Sequence, residues 1–283
     1  MTIREALREA VERYHTIEQV TLRALLRHVT GWDHAAQAAH PDDYRLDQAQ
    51  VEGFLALAQR ASQGEPLPYL TGQQEFFGLA FEVSPDVLIP RPETELLVEM
   101  ALQFCREHPE RRRIVDVGTG SGIIALTLAH YLPDYTISAT DLSAAALAVA
   151  QRNAERLHLS ERLRFVETDL LAALPGPFDL IAANLPYVDQ DELITLPIQH
   201  WEPHIALSGG KDGVELIARL LDQAQVRMAA GGLILLEVGY DHGPQVLRLG
   251  AAAFPGAEVR LFQDLARVDR VVRIKLPESF SRS

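Results

Sequence analysis

The sequence predicts an α/β protein in which a doubly wound sheet follows a small all-helical domain. Three observations carry this. From Arg113 onward, apolar strand-like runs alternate with helical patterns. The first of those runs are continuously apolar, as parallel strands covered on both faces must be. Residues 1–72 show only helical stripes. A length of 283 residues fits roughly two domains at ~150 residues each.

Taken in order, Ile3, Ala6, Leu7, Ala10, Val11 and Tyr14 lie at spacings of three and four and predict a first amphipathic helix. Thr16 is the expected N-cap of a second helix, with Ile17, Val20, Leu25, Leu26 and Val29 inward and Gly31 ending it. After Pro41-Asp42-Asp43, a third helix runs through Val51, Phe54, Leu55 and Ala58 to a C′ glycine at Gly64. The aromatic run FFGLAFEV and the following VLIP, parted by Ser84-Pro85-Asp86, read as a hairpin. Pro90 and Pro92 stop the pairing, and ETELLVEMALQFCRE returns to a helical pattern. Seven strand-like runs follow: RIVDVG, YTISATD, LRFVETD, DLIAANLPY, GGLILLEVG, AEVRLFQ and RVVRIKL. Helical stretches after Gly122, Ser143, Asp212 and Asp241 separate the first several. The expected organisation is a helical domain over 1–72, a hairpin linker over 73–92 and a sheet domain over 93–283.

Charge narrows the partners. Lys and Arg number 26 against 39 Asp and Glu, a net −13. Residues 1–75 carry 7 basic and 11 acidic side chains, and the remainder 19 and 28. A protein that grips nucleic acid through phosphates needs the opposite balance, so no direct nucleic-acid grip is expected. The Arg111-Arg112-Arg113 cluster reads as a solvated strand entrance. No apolar run reaches the ~18 residues of a spanning helix, and the charged N-terminus lacks a signal-peptide core. A soluble, cytoplasmic, monomeric protein is expected. The single Cys105 forbids an intrachain disulfide and a cysteine-based zinc cluster, and reads as a small buried hydrophobe.

Three groups of residues sit at predicted strand ends, where doubly wound sheets hold ligands. The first, Asp116-Val-Gly118-Thr119-Gly120-Ser121-Gly122, closes one strand and opens a helix. Its glycines permit a sharp turn and a close ligand approach. No Gly-Lys-Ser/Thr follows, so it is not a triphosphate loop. The second, Asp141, comes 25 residues after Asp116 at the end of the next strand. A carboxylate there can accept from both hydroxyls of an adenosine ribose, besides capping the helix near Ser143. The third is Asn184-Leu185-Pro186-Tyr187. The Asn184 side-chain oxygen and a nearby main-chain carbonyl can together accept both hydrogens of a planar NH2 group, with Tyr187 against its flat face.

Together these residues resemble the class I S-adenosylmethionine-dependent methyltransferases, whose Asn-x-Pro-Tyr motif serves planar amino groups. Val87-Leu-Ile-Pro-Arg-Pro-Glu-Thr-Glu95, with Pro68-Tyr-Leu-Thr-Gly72 and Phe76-Phe-Gly-Leu79, is similar to the signature of the PrmC/HemK family. The likeness continues through Trp201-Glu-Pro203, Ala206-Leu-Ser-Gly-Gly210, Asp212-Gly213 and Glu237-Val-Gly239. The resemblance implies a Rossmann-like seven-stranded sheet with an N-terminal helical domain and a β-hairpin connector. It also implies methylation of the glutamine amide in the Gly-Gly-Gln motif of class I peptide chain release factors. S-adenosyl-L-methionine is the implied cofactor, held by Asp116, Gly118, Thr119, Gly120, Ser121, Gly122, Asp141, Leu170 and Asn184. Asn184, Leu185, Pro186 and Tyr187 are the implied catalytic and substrate-binding set. The resemblance further suggests that the loop with Glu93, Thr94 and Glu95 borders the cofactor pocket; alternatively its acids only favour a helix N-terminus. The helical domain is expected to help dock the release factor.

One position departs from the family: Leu185 stands where proline is usual. Its carbonyl is what the chemistry requires, and leucine supplies that as well as proline, with a slightly looser turn. Asn-Leu-Pro-Tyr is also similar to the motif of rRNA adenine dimethyltransferases. That alternative leaves the Pro90–Glu95 signature, the helical domain and the acidic balance unexplained. A second alternative is a cofactor-binding module without catalysis. His200 and His204 have i, i+4 spacing, but Pro203 interrupts them and no metal is expected; Ser208-Gly-Gly-Lys-Asp-Gly213 reads as a plain loop.

Overall fold

The computed structural model describes residues 1–281. The chain divides into two compact units, the first Met1–Gln73 and the second beginning at Gln74.

The first unit is wholly helical: α1 (Ile3–Arg13), α2 (Gln19–Thr30), α3 (His34–Ala39), α4 (Gln48–Ser62) and α5 (Leu67–Thr71). α1 opens with a capping box in which the Thr2 hydroxyl accepts from the Glu5 N–H and the Glu5 carboxylate accepts from the Thr2 N–H. Leu22, Leu25, Leu26 and Phe54 are fully buried at its centre. The expected N-cap at Thr16 is corrected to Glu18, and Val20, expected inward, is 66% exposed. At about 100° per residue Val20 lies roughly opposite the buried stripe of Leu22, Leu25 and Leu26, so it faces outward. Short α3 and α5 were not foreseen, since one or two helical turns leave too few apolar positions for a period to register.

A hairpin comes next, β1 (Gln73–Phe76) and β2 (Leu79–Glu82). Here the expected pairing of FFGLAFEV with VLIP is corrected. The turn is Phe77-Gly78, both with positive φ (51° and 75°), which a two-residue loop needs if it is to match strand twist. Residues 87–90 form no strand. Phe76 and Phe81 are buried in the core of the second unit, so the hairpin packs as part of it. Glu95 Oε1 accepts from the Phe77 N–H at 2.9 Å, and Asn153 Oδ1 from the Glu82 N–H at 2.6 Å.

The sheet and its helices follow as α6 (Glu95–Glu107), β3 (Arg113–Val117), α7 (Ile123–Tyr131), β4 (Thr136–Asp141), α8 (Ala144–Arg156), β5 (Leu163–Glu167), β6 (Phe178–Ala183), α9 (Gln190–Leu193), α10 (Glu215–Gln225), β7 (Met228–Glu237), α11 (Gly243–Ala253), β8 (Glu258–Gln263) and β9 (Asp269–Lys275). Strand order is β5-β4-β3-β6-β7-β9-β8. The first five are parallel, and β9 runs antiparallel to both neighbours. One apolar cluster covers each face, α6 and α7 lying on one and α10 and α11 on the other. Chain order reverses between β3 and β6, and ligands of such sheets bind in the crevice this reversal opens.

Candidate active site

Register assembles the site. Val117 pairs with Ala183, and Ala183 with Leu236. The next residues, Gly118, Asn184 and Glu237, therefore stand side by side at the carboxyl ends of β3, β6 and β7. A cleft of about 980 Å³, open mouth included, lies over these ends. Of the residues singled out from sequence, Gly118, Thr119, Gly120, Ser121, Asp141, Leu170, Asn184, Leu185 and Pro186 line it.

The glycine loop is held from below. Asp116 is fully buried; its Oδ2 accepts from Thr119 Oγ1 at 2.6 Å and from the Ala125 N–H at 3.1 Å, tying strand, loop and helix together. Burial pushes its carboxyl up to about 7, against the pull of these two donors. Its Oδ1 is buried with no partner among the described residues. At Gly120 (φ +56°) an added Cβ would meet nothing within 4 Å, so the backbone faces open cleft. At Gly118 the same atom would lie 2.9 Å from Leu185 Cδ2. Leu185 is thus a core side chain, 3% exposed and wedged beneath the glycine loop. Gly122 starts α7 and packs against Leu126 and Ala150 instead of the cleft.

Asp141 serves the loop as well as the cleft. Its Oδ2 accepts from the Gly120 N–H and its Oδ1 from the Ser143 N–H, both at 2.9 Å. The cap of α8 is Ser143, whose Oγ accepts from the Ala146 N–H at 3.2 Å. Each Asp141 oxygen keeps a second lone pair for a ligand hydroxyl. Burial raises its pKa, and the Ser143 and Gly120 N–H groups oppose the rise. Leu170 reaches the cleft with a left-handed backbone, φ +53°, although it is not glycine.

Asn184 Nδ2 donates to Thr94 Oγ1 at 3.1 Å. Behind them the Glu237 carboxyl is 2% exposed, and the Thr94 hydroxyl and Asn184 amide face it as donors. Burial pushes Glu237 up to about 7, opposed by Thr94 and by the Arg270 charge. Tyr187 does not line the cleft; its ring turns toward His242, with centroids 6.4 Å apart, and burial lifts its hydroxyl to about 12. Glu93 and Glu95 also lie off the lining, whereas Asp86–Leu88, Pro90 and Arg91 form one wall. Arg91 is anchored by Glu202 at 2.6 Å.

The chain is similar to known proteins over both units. Residues 3–72 match the PrmC N-terminal domain family and residues 93–200 the methyltransferase small domain family. The chain is 42% identical over 280 residues to the release factor glutamine methyltransferase of Moorella thermoacetica, covering 95% of this chain and 97% of that relative. It is 41% identical to the enzyme of the same name from Burkholderia pseudomallei, with 94% of each covered. The chain belongs to the release factor glutamine methyltransferase family. Among solved structures, a methyltransferase from Pyrococcus furiosus superposes with a TM-score of 0.53 at 20% identity, covering 71% of this chain and 91% of the other. The human Mettl16 catalytic domain, solved with an RNA hairpin, gives 0.56 at 17%, covering 81% and 84%. At those identities the likeness is one of fold.

This methyltransferase also uses residues that motif reading passed over. The Ser208–Gly213 segment, read as a plain loop, braces the Asn184–Tyr187 turn. Val188 bridges Ser208, and the Gly209 N–H donates to the Val188 carbonyl at 2.8 Å. A Cβ at Gly209 would strike the Pro186 carbonyl and Tyr187 Cα at 2.7 Å. One at Gly213 would strike the His242 ring at 2.5 Å. Three glycines within a short polar loop were the available signal. The exposed Leu142 and Ile205 at the cleft had none, since single apolar residues occur on any surface.

Proposed function

We propose that this enzyme transfers a methyl group from S-adenosylmethionine to the side-chain amide nitrogen of the glutamine in the Gly-Gly-Gln motif of class I peptide chain release factors. The observation that carries this reading is the Asn184 side chain. With Nδ2 engaged by Thr94, Oδ1 is left as an acceptor in a cleft beside a glycine loop. The names carried by the relatives at about 40% identity point to the same acceptor.

The residues present fit the cofactor. Gly120 exposes backbone to open space and Asp141 retains lone pairs for the ribose, while Asp116, buried beneath the glycine loop, holds that loop in shape. When bound, S-adenosylmethionine supplies an electrophilic methyl carbon on a sulfonium centre. The chain's own work is positioning. A carboxamide nitrogen is a poor nucleophile because its lone pair is delocalised into the carbonyl. Asn184 Oδ1 and the Leu185 carbonyl, accepting its two N–H bonds, fix the nitrogen toward the cleft and favour the pyramidal geometry of attack. As positive charge grows on that nitrogen, both acceptors bind it more tightly, so stabilisation is concentrated in the transition state. Leu185 and Pro186 shape the turn, and Tyr187, expected against the flat face of the amide, instead packs behind the turn toward His242. The amide proton can leave after transfer, so no strong general base is assigned. The organisation we propose keeps residues 1–72 as a docking domain, 73–92 as a connector and 93–283 as the catalytic domain, acting as a cytoplasmic monomer.

The test is Asn184→Ala, incubated with S-adenosylmethionine and a purified class I release factor. Mass spectrometry of the Gly-Gly-Gln peptide should show the single added methyl with the parent enzyme and none with the variant. Calorimetry should show cofactor binding nearly unchanged. An active variant would refute the role of Asn184, and methylation of rRNA in a parallel incubation would redirect the substrate.

A further inference from the structure

An asparagine amide has two ends of opposite polarity and nearly equal shape, so its orientation must be set by its neighbours. At Asn184 those neighbours come from two elements distant in sequence. Thr94, fully buried just ahead of α6, offers Oγ1 to Nδ2 at 3.1 Å. Glu237, at the end of β7 and equally enclosed, faces both the Thr94 hydroxyl and the Asn184 amide. The Oε2 of that carboxyl has no partner among the described residues. The polarity runs one way. Thr94 receives the Asn184 N–H on an oxygen lone pair, and the nearby Glu237 carboxylate, an acceptor, draws the single Thr94 hydroxyl proton toward itself. A carboxylate cannot donate, so the chain of bonds cannot reverse while Glu237 is ionised. No described residue donates to Asn184 Oδ1; the amide's bond is the donation from Nδ2 to Thr94.

We propose that Thr94 and Glu237 are positioning residues that lock the Asn184 amide with its nitrogen inward and its oxygen toward the cleft, making the site selective for an NH2-bearing carboxamide. The inference rests on the role of Asn184 given above. It assigns a purpose to two signature residues, the threonine of Pro92-Glu-Thr-Glu95 and the glutamate of Glu237-Val-Gly239, neither of which lines the cleft. Turned the other way, Asn184 would aim N–H at the N–H of the substrate and repel it.

Thr94→Val keeps the volume and removes the hydroxyl. With a purified class I release factor, kcat should fall about tenfold or more, the scale of one lost buried hydrogen bond. The KM for S-adenosylmethionine, and its affinity by calorimetry, should stay within about twofold. Thr94→Ser restores the hydroxyl and should recover most of the loss. Glu237→Gln, which can donate as well as accept, should lower kcat with cofactor affinity likewise kept. If Thr94→Val fails to fold, the Ser and Gln variants carry the same comparison. Full kcat in Thr94→Val or Glu237→Gln, or a Thr94→Ser no better than Thr94→Val, would overturn the proposal. A fully active Asn184→Ala would instead overturn the reading beneath it, so the two failures are distinguishable.

Discussion

Asp141→Ala separates two duties that sequence reading joined in one residue. The carboxylate accepts two backbone N–H bonds, from Gly120 and Ser143, each at 2.9 Å. A hydrogen bond to a charged group contributes about 1.5–3 kcal/mol, so the pair could hold about 3–6 kcal/mol in gross terms. Part is offset because burial already disfavours the charge, as the raised pKa of Asp141 records. A net loss of about 2–3 kcal/mol in folding stability is expected, since both N–H groups keep partial access to water. The ribose contact is a separate loss of about 2 kcal/mol, which is roughly thirtyfold in dissociation constant. Urea unfolding followed by fluorescence measures the first, and calorimetric titration with S-adenosylmethionine at a temperature where the variant is folded measures the second. Asp141→Asn should fall between, because one amide oxygen replaces two acceptors and the NH2 group then faces a backbone N–H. Cofactor affinity unchanged in a folded Asp141→Ala would exclude the ribose role. Stability unchanged would show that the two backbone bonds contribute nothing net.

Two further outcomes follow from the same geometry. Gly213→Ala should lower activity strongly, because its φ of +67° is strained for alanine and its Cβ would press the Tyr187 carbonyl and the His242 ring. Parent-like kcat in that variant would show that the brace behind Tyr187 is dispensable. Asp116 and Glu237 ionise near pH 4 in an unfolded chain, but burial holds both to about 7 in the fold. Between those values the folded state keeps protons that the unfolded state has released, so these two groups make stability decline as pH rises from about 4 to about 7 and level off above. Glu5 and Asp264, whose pKa values are lowered, act oppositely and only below about pH 4. Chemical denaturation across pH 5 to 8 checks the sign by comparing the parent with Glu237→Gln, in which the decline should be shallower.

All seven strands of the sheet were legible in the chain: the parallel ones as apolar runs bounded by turns, the antiparallel β8 and β9 as apolar residues interleaved with charged ones. The glycine loop, Asp141 and Asn184 were legible for a related reason: each is a polar or glycine residue placed where an apolar strand ends. Other features had no local signal. Phe77 turned the hairpin earlier than the proline-bearing segment suggested, since a positive φ at phenylalanine is imposed by pairing and by burial of Phe76 and Phe81. Thr94 and Glu237 lie 143 positions apart in the chain, and neither spacing nor composition links them. Strand register brings Glu237 beside Asn184, and the start of α6 brings Thr94 to both. The sequence by itself determined which elements form and which side chains can do chemistry, because period and residue type are local properties. Only the tertiary structure decided which way the Asn184 amide points, because that choice belongs to partners supplied by other strands and helices.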